Sequence, residues 1–148
     1  MTEPIRWKGN LPLEYLYTAG LAGERFFREL RDKERLLGTS CTKCKVTYLP
    51  PRLYCERCFR TLEKWAPIPK RGTIYTFTIS YADTEGNPIL EPTIFAFIAF
   101  KGITGGLLHK IGEATPEEIK IGLPVTPVFE AKGKRTGSIL DIKYFKPL

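Results

Sequence analysis

Three patterns in the sequence predict a mainly β protein built in three parts. Opposite charges at helical spacing occur before residue 38, two Cys-x-x-Cys pairs lie within residues 38–66, and alternating apolar segments fill residues 67–148. In chain order, these patterns predict an N-terminal helical segment over residues 1–37, a zinc ribbon over residues 38–66 and a small closed β-barrel over residues 67–148.

The composition is that of a folded protein without a membrane segment. Of the 148 residues, 43% are hydrophobic and 26% are charged, which is enough apolar material for a core. The longest apolar run, Ile94–Phe100, is far too short to cross a bilayer, and the N-terminus has no signal-peptide pattern. We therefore expect a cytoplasmic protein with no membrane partner. The absence of Gln and the twelve Pro residues suggest a thermophilic source.

The net charge of +7 is concentrated in the cysteine segment. Residues 1–37 carry +1, residues 38–66 carry +4 and residues 67–148 carry +2. A Zn²⁺ ion held by four thiolates has a local charge of −2, so part of this basic excess compensates for the metal site. The charge is therefore weak evidence for a nucleic-acid partner.

The two cysteine pairs, Cys41/Cys44 and Cys55/Cys58, have the spacing of a rubredoxin-like zinc ribbon. Two tight turns that each present two sulfurs supply the four soft ligands of a tetrahedral Zn²⁺ site. Two disulfides or a redox dithiol are the alternatives, and both fit an intracellular chain with paired motifs less well. Four protein ligands leave no open coordination position, so the predicted role of the metal is structural.

Residues Gly23–Leu37 are predicted to form a helix, because Glu24/Arg28, Arg28/Asp32 and Glu29/Lys33 are opposite charges four residues apart. One face of this helix carries an apolar stripe, and a second apolar cluster over Leu11–Tyr17 is a candidate short helix. The stripe comprises Phe26, Phe27, Leu30 and Leu37. It either covers the rest of the fold or forms a partner surface.

After residue 66 the apolar period changes to that of strands. Five strands with one short helix between the third and fourth have the element order of an OB-fold barrel. Thr115-Pro-Glu-Glu118 supplies the helix start as a capping box. The strands are predicted at Arg71–Tyr81, Thr93–Phe100, Leu107–Gly112, Val125–Ala131 and Ile139–Phe145. In the first, Tyr75, Phe77, Ile79 and Tyr81 share one face, and the second is expected to be buried on both faces.

Catalytic groups do not cluster in the sequence, so we predict no catalytic residues. His109 is the single histidine and is expected to be structural or at the surface. None of the three serines lies in a nucleophile-elbow motif. The segment Gly102–Gly106 lacks the helix and the Lys-Ser/Thr of a phosphate loop.

The order of these motifs resembles the acyl-CoA-associated zinc-ribbon/OB-fold family, long described only as a domain of unknown function. The resemblance covers nearly the whole chain. Its specific elements are the cysteine pairs, the linker Tyr48-Leu-Pro-Pro-Arg52, the strand Gly72-Thr-Ile-Tyr-Thr-Phe77 and the turn Ile121-Gly-Leu-Pro-Val125. It implies that Cys41, Cys44, Cys55 and Cys58 are zinc ligands.

The resemblance also implies an accessory protein rather than an enzyme. Family members accompany thiolases, hydroxymethylglutaryl-CoA synthases and related acyl-CoA enzymes of lipid and isoprenoid metabolism. We therefore expect a scaffold that binds acyl-CoA or CoA and recruits a thiolase or hydroxymethylglutaryl-CoA synthase through its N-terminal helices.

Candidate CoA contacts follow from the chemistry of the ligand, because its phosphates need Lys, Arg or backbone N–H donors. Basic residues flanking the barrel strands and the glycines of one turn fit this need: Lys70, Arg71, Lys101, Gly102, Gly105 and Gly106. Tyr75 and Phe77 are expected in the barrel core, with a groove for an acyl or pantetheine chain as the alternative.

A second hypothesis is a single-stranded nucleic-acid binder. OB barrels stack bases on aromatic side chains within a basic groove, and this chain has nine Phe and seven Tyr. The small charge of the barrel segment favours the accessory protein over this hypothesis.

Overall fold

The computed structural model describes Ile5, Gly9 and residues 14–148. Among these residues one helix, α1 (Gly20–Lys33), precedes eight strands. The strands are β1 (Leu37–Cys41), β2 (Val46–Leu49), β3 (Lys64–Pro67), β4 (Gly72–Ala82), β5 (Pro88–Ala99), β6 (Thr104–Ile111), β7 (Pro124–Phe129) and β8 (Ile142–Pro147). Single 3₁₀ turns lie at Pro116–Glu118, Lys132–Lys134 and Ile139–Asp141.

The strands form one continuous sheet in the order β3-β1-β2-β6-β5-β4-β7-β8. Strands β1–β3 are antiparallel and form the ribbon. Strand β2 connects the ribbon to the OB fold through a short parallel pairing with β6. Strands β4–β8 curve into a barrel-like sheet, which is closed where β8 pairs with β6 at Ile111 and Phe145. The predicted zinc ribbon followed by a five-stranded OB fold is confirmed, although the sheet is not a regular barrel.

The main core lies inside strands β4–β8 and extends to α1. Helix α1 contributes Phe26 and Leu30, which are 3% and 0% exposed. They share one apolar cluster with the inward residues of the barrel: Ile74, Ile94, Ala96, Ile98, Leu107, Ile111, Val125, Ile142 and Phe145. No helix in the described part of the chain is long and apolar enough to span a membrane.

Helix α1 begins and ends earlier than the predicted Gly23–Leu37. Glu34 adopts a left-handed conformation with φ of 50°, and its backbone N–H bonds back to the carbonyls of Glu29 and Leu30. Leu36 is therefore buried beyond the helix and Leu37 begins β1. The predicted short helix over Leu11–Tyr17 lies partly outside the described residues, and residues 14–17 are not helical.

The predicted charge pairs along α1 are mostly present. Glu24 pairs with Arg28, and Lys33 Nζ lies 3.0 Å from Glu29 Oε1. Asp32 pairs with the adjacent Arg31 at 2.8 Å instead of with Arg28. The Glu24–Arg28 and Arg31–Asp32 pairs are exposed, so they contribute little to stability.

Arg135 links α1 to the turn between β7 and β8. Its side chain is 6% exposed and donates hydrogen bonds to the backbone oxygens of Glu130 at 2.8 Å and Arg31 at 2.7 Å. It also forms an ion pair with Glu34 Oε1 at 2.6 Å. Because Arg31 and Glu34 lie at the C-terminal end of α1, the cation meets the negative end of the helix dipole.

A β-bulge at Tyr75 changes the predicted inward face of β4. Ile74 pairs with Ile98, and Thr76 pairs with Phe97, so Tyr75 is the extra residue. Ile74 is buried and Phe77 partly buried, whereas Tyr75 is 67% exposed. The predicted core position of Tyr75 is therefore wrong, because strict alternation cannot reveal an inserted residue.

Strand β5 is buried on one face only, contrary to the prediction for Thr93–Phe100. Its alternate residues Ile94, Ala96 and Ile98 are buried, whereas Phe95 is 40% exposed. The outward face is apolar in sequence but lies on the outside of the sheet. A run of apolar residues does not show whether a second layer covers the strand.

The last hairpin is shorter than the predicted Val125–Ala131 and Ile139–Phe145. The residues between β7 and β8 form two 3₁₀ turns, so β8 begins at Ile142. The buried Asp141 carboxylate accepts hydrogen bonds from the backbone N–H groups of Thr136 at 2.8 Å and Gly137 at 2.8 Å, which fixes the loop. The predicted short helix starting at Thr115 is confirmed as a single 3₁₀ turn, capped by Glu118.

Candidate functional site

The four cysteines converge at the end of the ribbon. Their sulfur atoms all lie within 4.8 Å of one another, and Cys41 Sγ is 3.7 Å from Cys58 Sγ. A tetrahedron with Zn–S bonds of about 2.3 Å has edges of about 3.8 Å, so this sulfur spacing fits one Zn²⁺ ion. Cys41 and Cys55 are buried, and Cys44 and Cys58 are half-buried. Four protein sulfurs complete a tetrahedron without an open position for substrate.

The hydroxyl of buried Tyr48 changes the pKa of one cysteine in the sulfur cluster. Its hydroxyl lies 3.3 Å from Cys55 Sγ, and a hydrogen bond from this hydroxyl lowers the pKa of Cys55 to about 6. The same hydrogen bond raises the pKa of Tyr48 to about 12. Hydrogen bonding to Cys58 and desolvation raise the pKa of Cys44 to about 12. Four neighbouring sulfurs therefore resist full ionisation until a cation compensates for their charge.

The Pro-Pro-Arg linker is pinned beside the metal centre by Thr39. Thr39 Oγ1 accepts a hydrogen bond from the Arg52 backbone N–H at 2.9 Å and donates one to the Arg52 backbone oxygen at 2.9 Å. The Arg52 guanidinium lies over the Tyr48 ring, 5.3 Å from its centroid. The chain from β2 to the second cysteine pair is therefore held against the ribbon.

The ribbon and the barrel meet where β2 runs beside β6. Tyr48 pairs with Thr104 and Leu49 pairs with Gly105. Gly105 has φ of +91°, and a Cβ atom there would collide with the Leu49 backbone oxygen. Glycine is therefore required at this junction, both for its backbone conformation and for the close approach of the two strands.

An apolar groove of about 300 Å³ lies at this junction. One wall is α1, the second is the proline linker, and the floor is the start of β6. The lining residues are Gly23, Phe26, Phe27, Pro50, Pro51, Gly106, Leu107, Leu108 and Ile139. A concave apolar surface of this volume accommodates the chain of a small ligand.

The predicted CoA-contact residues divide into two groups. Lys70, Arg71, Lys101 and Gly102 are exposed, and the pairing of Thr73 with Ala99 places them at one end of the β4–β5 ladder. Lys70 Nζ lies 4.0 Å from Glu34 Oε2 and 5.1 Å from the Phe129 ring centroid.

The second group is Gly105 and Gly106, at the start of β6. Gly106 lines the groove, and the Phe97 ring lies close above it, where a Cβ would come within 2.8 Å of a ring carbon. The structure gives Gly105 and Gly106 packing roles, while CoA contact by all six residues stays a prediction.

The apolar stripe of α1 is part of the chain's own core. Phe26 and Leu30 are buried and Phe27 is partly buried against the same cluster, so the interpretation of these residues as a partner surface is wrong. Of the two alternatives for the stripe, the structure supports the first: these residues of α1 cover the rest of the fold by packing on the barrel.

Exposed apolar residues instead precede and open the helix. Tyr15, Leu16, Tyr17 and Leu21 are 63%, 100%, 81% and 73% exposed. The rings of Tyr15 and Tyr17 stack with centroids 5.7 Å apart. The cluster of Tyr15, Leu16, Tyr17 and Leu21 is called here the N-terminal apolar segment.

His109 has a structural position, as expected. The side chain is 8% exposed, its Nε2 lies 3.4 Å from the Ile139 backbone oxygen, and its ring packs against Phe145. It does not line the groove.

Two family models match consecutive parts of the chain. The ChsH2 rubredoxin-like zinc ribbon domain matches residues 28–63, and the ChsH2 C-terminal OB-fold domain matches residues 65–130. The first match covers β1 and β2 of the ribbon, and the second covers most of β3 and all of β4–β7.

Two curated relatives are described as DUF35 domain-containing scaffold proteins. The Methanocaldococcus jannaschii protein is 28% identical over 131 residues, which cover 84% of this chain and 89% of that protein. The Methanothermobacter thermautotrophicus protein is 26% identical over 128 residues, covering 83% and 94%.

Solved structures share the fold. A DUF35 protein of unknown function from Sulfolobus solfataricus has a TM-score of 0.70 and 31% identity, with 86% of each chain covered. A chain of the Ltp2-ChsH2(DUF35) aldolase has a TM-score of 0.62 and 20% identity, covering 84% of this chain and 93% of that one. The four-cysteine ribbon, the OB fold and these matches together show that the chain belongs to the DUF35 family.

Proposed function

We propose that this protein is a non-catalytic scaffold that binds acyl-CoA and recruits a thiolase or hydroxymethylglutaryl-CoA synthase of lipid or isoprenoid metabolism. The observation that carries the proposal is the match, over 84% of the chain, to a DUF35 scaffold protein. A metal centre saturated by four protein sulfurs is consistent with a structural rather than a chemical role.

In this proposal, Cys41, Cys44, Cys55 and Cys58 hold one structural Zn²⁺. The ion orders the ribbon, which in turn positions the proline linker as one wall of the groove. The division into residues 1–37, 38–66 and 67–148 stays a prediction. A cytoplasmic location also stays a prediction.

The apolar groove is the proposed site of the pantetheine arm or acyl chain. Its lining is almost entirely apolar, which suits a flexible chain with few hydrogen-bonding groups. Residues 102–105 connect the turn at Lys101 to the groove floor at Gly106. Lys101, exposed at that turn, is the proposed partner of the CoA phosphates.

Calorimetric titration of the zinc-loaded protein with acetyl-CoA tests this site. Leu108→Asp puts a charge on the groove floor and is expected to weaken binding at least tenfold, because an acyl or pantetheine chain would then face a carboxylate. Ile121→Asp is the matched control, since Leu108 and Ile121 are both 68% exposed and Ile121 lies outside the groove. Equal affinities of the two variants, or no heat with wild type at millimolar acetyl-CoA, would remove CoA binding from the proposal.

Partner recruitment is proposed for the N-terminal apolar segment rather than for the buried stripe of α1. Deleting residues 1–37 would also remove buried Phe26 and Leu30, so point variants are the better test. Tyr17→Ala is expected to release a thiolase or synthase captured from the native host, identified by mass spectrometry. Tyr54→Ala on the ribbon is the control, with a side chain that is 60% exposed. Retention of the enzyme by Tyr17→Ala, with Leu16→Asp equally silent, would contradict docking through this segment.

A single-stranded nucleic-acid binder is the second candidate, because one observation favours it. Phe95 and Phe97 of β5 lie opposite Lys110 and Leu108 of β6 on the outer sheet face, where OB folds stack bases. Fluorescence anisotropy with a labelled oligonucleotide at two salt concentrations tests it. Affinity that persists at about 0.15 M salt and falls with Phe95→Ala would support it, whereas affinity lost by that salt would indicate non-specific attraction.

A further inference from the structure

Strand β4 has one free edge along most of its length. On one side it pairs with β5 throughout. On the other side it pairs with β7 only at Gly72 and Thr73, and Ile74 exchanges backbone hydrogen bonds with Gly122 and Leu123. From Thr76 to Ala82, no strand in the described part of the chain pairs with this edge.

Of the features that keep exposed strands from pairing, β4 has only irregularities of register. Proteins protect free edges with charged residues, prolines, β-bulges or very short strands. A bulge at Tyr75 and a register shift after Ser80 flank a regular segment of the edge at residues 76–80. Gly72–Ala82 is eleven residues long and contains no charged residue and no proline. Tyr75 and Tyr81 at its two ends are 67% and 62% exposed. The free edge is therefore suited to accept another strand.

The two ends of β4 carry opposite charges. Lys70 and Arg71 directly precede the strand, and Asp83 and Glu85 directly follow it. Residues 80–93 contain three carboxylates and no Lys or Arg, in a chain whose net charge is +7. Neither Arg71 nor Glu85 has a side-chain hydrogen bond or ion pair among the described residues. The strand is thus basic at its start, neutral along its length and acidic at its end.

We propose that two copies of this chain form a two-fold symmetric dimer through antiparallel pairing of their β4 edges. Antiparallel pairing places the start of each β4 beside the end of the other, so Lys70 and Arg71 of each copy face Asp83 and Glu85 of the second copy. The neutral segments then pair with each other along the axis. A parallel arrangement would bring like charges together.

The hairpin formed by residues 80–93 also favours a second copy of this chain as the partner of the β4 edge. Residues 80–93 pair only with each other within the described structure, and β6 pairing of β5 begins at Ile94. At about 3.3 Å per residue this hairpin reaches roughly 20 Å beyond the barrel. An isolated two-stranded hairpin is marginally stable in water, although Asp83 orders its tip by accepting backbone hydrogen bonds from Glu85 and Asn87. In the dimer, each acidic hairpin lies along the basic end of the other copy.

Light scattering coupled to gel filtration on the full, zinc-loaded chain tests the proposal without any ligand or partner enzyme. Wild type is expected at twice the chain mass of 16.9 kDa at tens of micromolar. Arg71→Glu and Glu85→Lys are each expected to raise the dimer dissociation constant about tenfold or more, because like charges then face each other. The double variant restores opposite charges and is expected to recover the dimer.

Recovery of the dimer in the double variant would show specific pairing of the two charges. If the single variants were monomeric because they are unstable, adding the second charge change would not restore the dimer. Thr78→Lys places a charge on the exposed edge and is expected to give a monomer with unchanged circular dichroism. A wild-type monomer at 100 µM would overturn the proposal. A dimer whose dissociation constant is unchanged by Arg71→Glu, Glu85→Lys and Thr78→Lys would also overturn it. So would a monomeric chain whose β4 edge pairs only with a captured enzyme.

Discussion

The zinc ribbon and the barrel hold their strands together by different means. The ribbon core consists of Cys41, Tyr48, Cys55 and Leu62, with Cys44, Val46 and Cys58 packed against it. The barrel core contains a much larger set of aliphatic and aromatic residues drawn from α1 and all of β4–β8. The stability of the ribbon, whose small core consists largely of cysteines, therefore depends on its metal. The stability of the barrel depends on the apolar area that it buries.

Metal removal is expected to have the largest effect and to separate the two regions. Structural zinc contributes about 10 kcal/mol or more to small metal-dependent domains, far more than the four-residue ribbon core supplies. Chelation, or Cys55→Ser, should expose the backbone amides of β1 and β2 to rapid hydrogen exchange while β5 and β6 stay protected. Exchange measured by mass spectrometry checks this.

Thr42→Ser is the control for Cys55→Ser, because Thr42 lies inside the first cysteine turn, is exposed and offers no sulfur. Uniform loss of protection in both regions would mean that the barrel also needs the metal. Retained protection in a ribbon shown to be metal-free would mean that the sulfurs are not its main support.

Substitutions in α1 come next, because the helix belongs to the barrel core. Phe26→Ala removes a buried ring and is expected to lower the free energy of unfolding by about 3–5 kcal/mol. Leu21→Ala, on the same helix but 73% exposed, should change it by no more than about 0.5 kcal/mol. Urea unfolding followed by tryptophan fluorescence gives both values. Similar small effects would show that α1 is only loosely docked.

Gly105→Ala tests the junction between the ribbon and the barrel. The variant forces a non-glycine residue into φ of +91° and sets a Cβ against the Leu49 backbone oxygen, so the expected loss is about 3 kcal/mol. Gly102→Ala is the matched control, with φ of +75° and no atom within 4 Å of the added Cβ, and should lose about 1 kcal/mol. Urea denaturation measures the difference between them. Equal losses would show that backbone conformation alone matters and that the two strands can separate without cost.

The smallest expected effect concerns a surface carboxylate of the barrel. Hydrogen bonds from the Tyr144 hydroxyl at 2.6 Å and Lys146 Nζ at 3.1 Å hold the pKa of Glu113 below its ordinary value of 4.5. A depressed folded-state pKa gives stability that is present above pH 4.5 and lost as the pH falls through the folded value. Glu113→Gln should therefore reduce the change in melting temperature over that acid range.

Glu117→Gln is the control for this acid range, because the Glu117 side chain is exposed and accepts no hydrogen bond among the described residues. If the melting temperatures of wild type and Glu113→Gln fall in parallel below pH 4.5, the Tyr144 hydrogen bond does not contribute to pH-dependent stability.

The sequence predicted those features that depend on local spacing. The cysteine spacing indicated the ribbon, and the five alternating segments with a capped turn at Thr115 indicated the OB fold, because metal turns and strand periods are local properties. The comparisons confirm both.

Features that depend on distant contacts or on one inserted residue were not predictable. The bulge at Tyr75 moves one tyrosine from the core to the surface without changing the residue pattern. The stripe of α1 is apolar whether it meets a partner or the barrel, and only the tertiary structure shows that it meets the barrel. The groove joins α1, the proline linker and β6, which are separated along the chain.

The buried guanidinium of Arg135 has a consequence for biosynthesis. Its partners Glu34 and Arg31 precede it by 101 and 104 residues. A ribosome delivers the chain from its N-terminus, so α1 emerges long before the cation that ties down its C-terminal end. Helix α1 is thus among the last elements to complete its contacts, and it remains open to other molecules throughout most of synthesis.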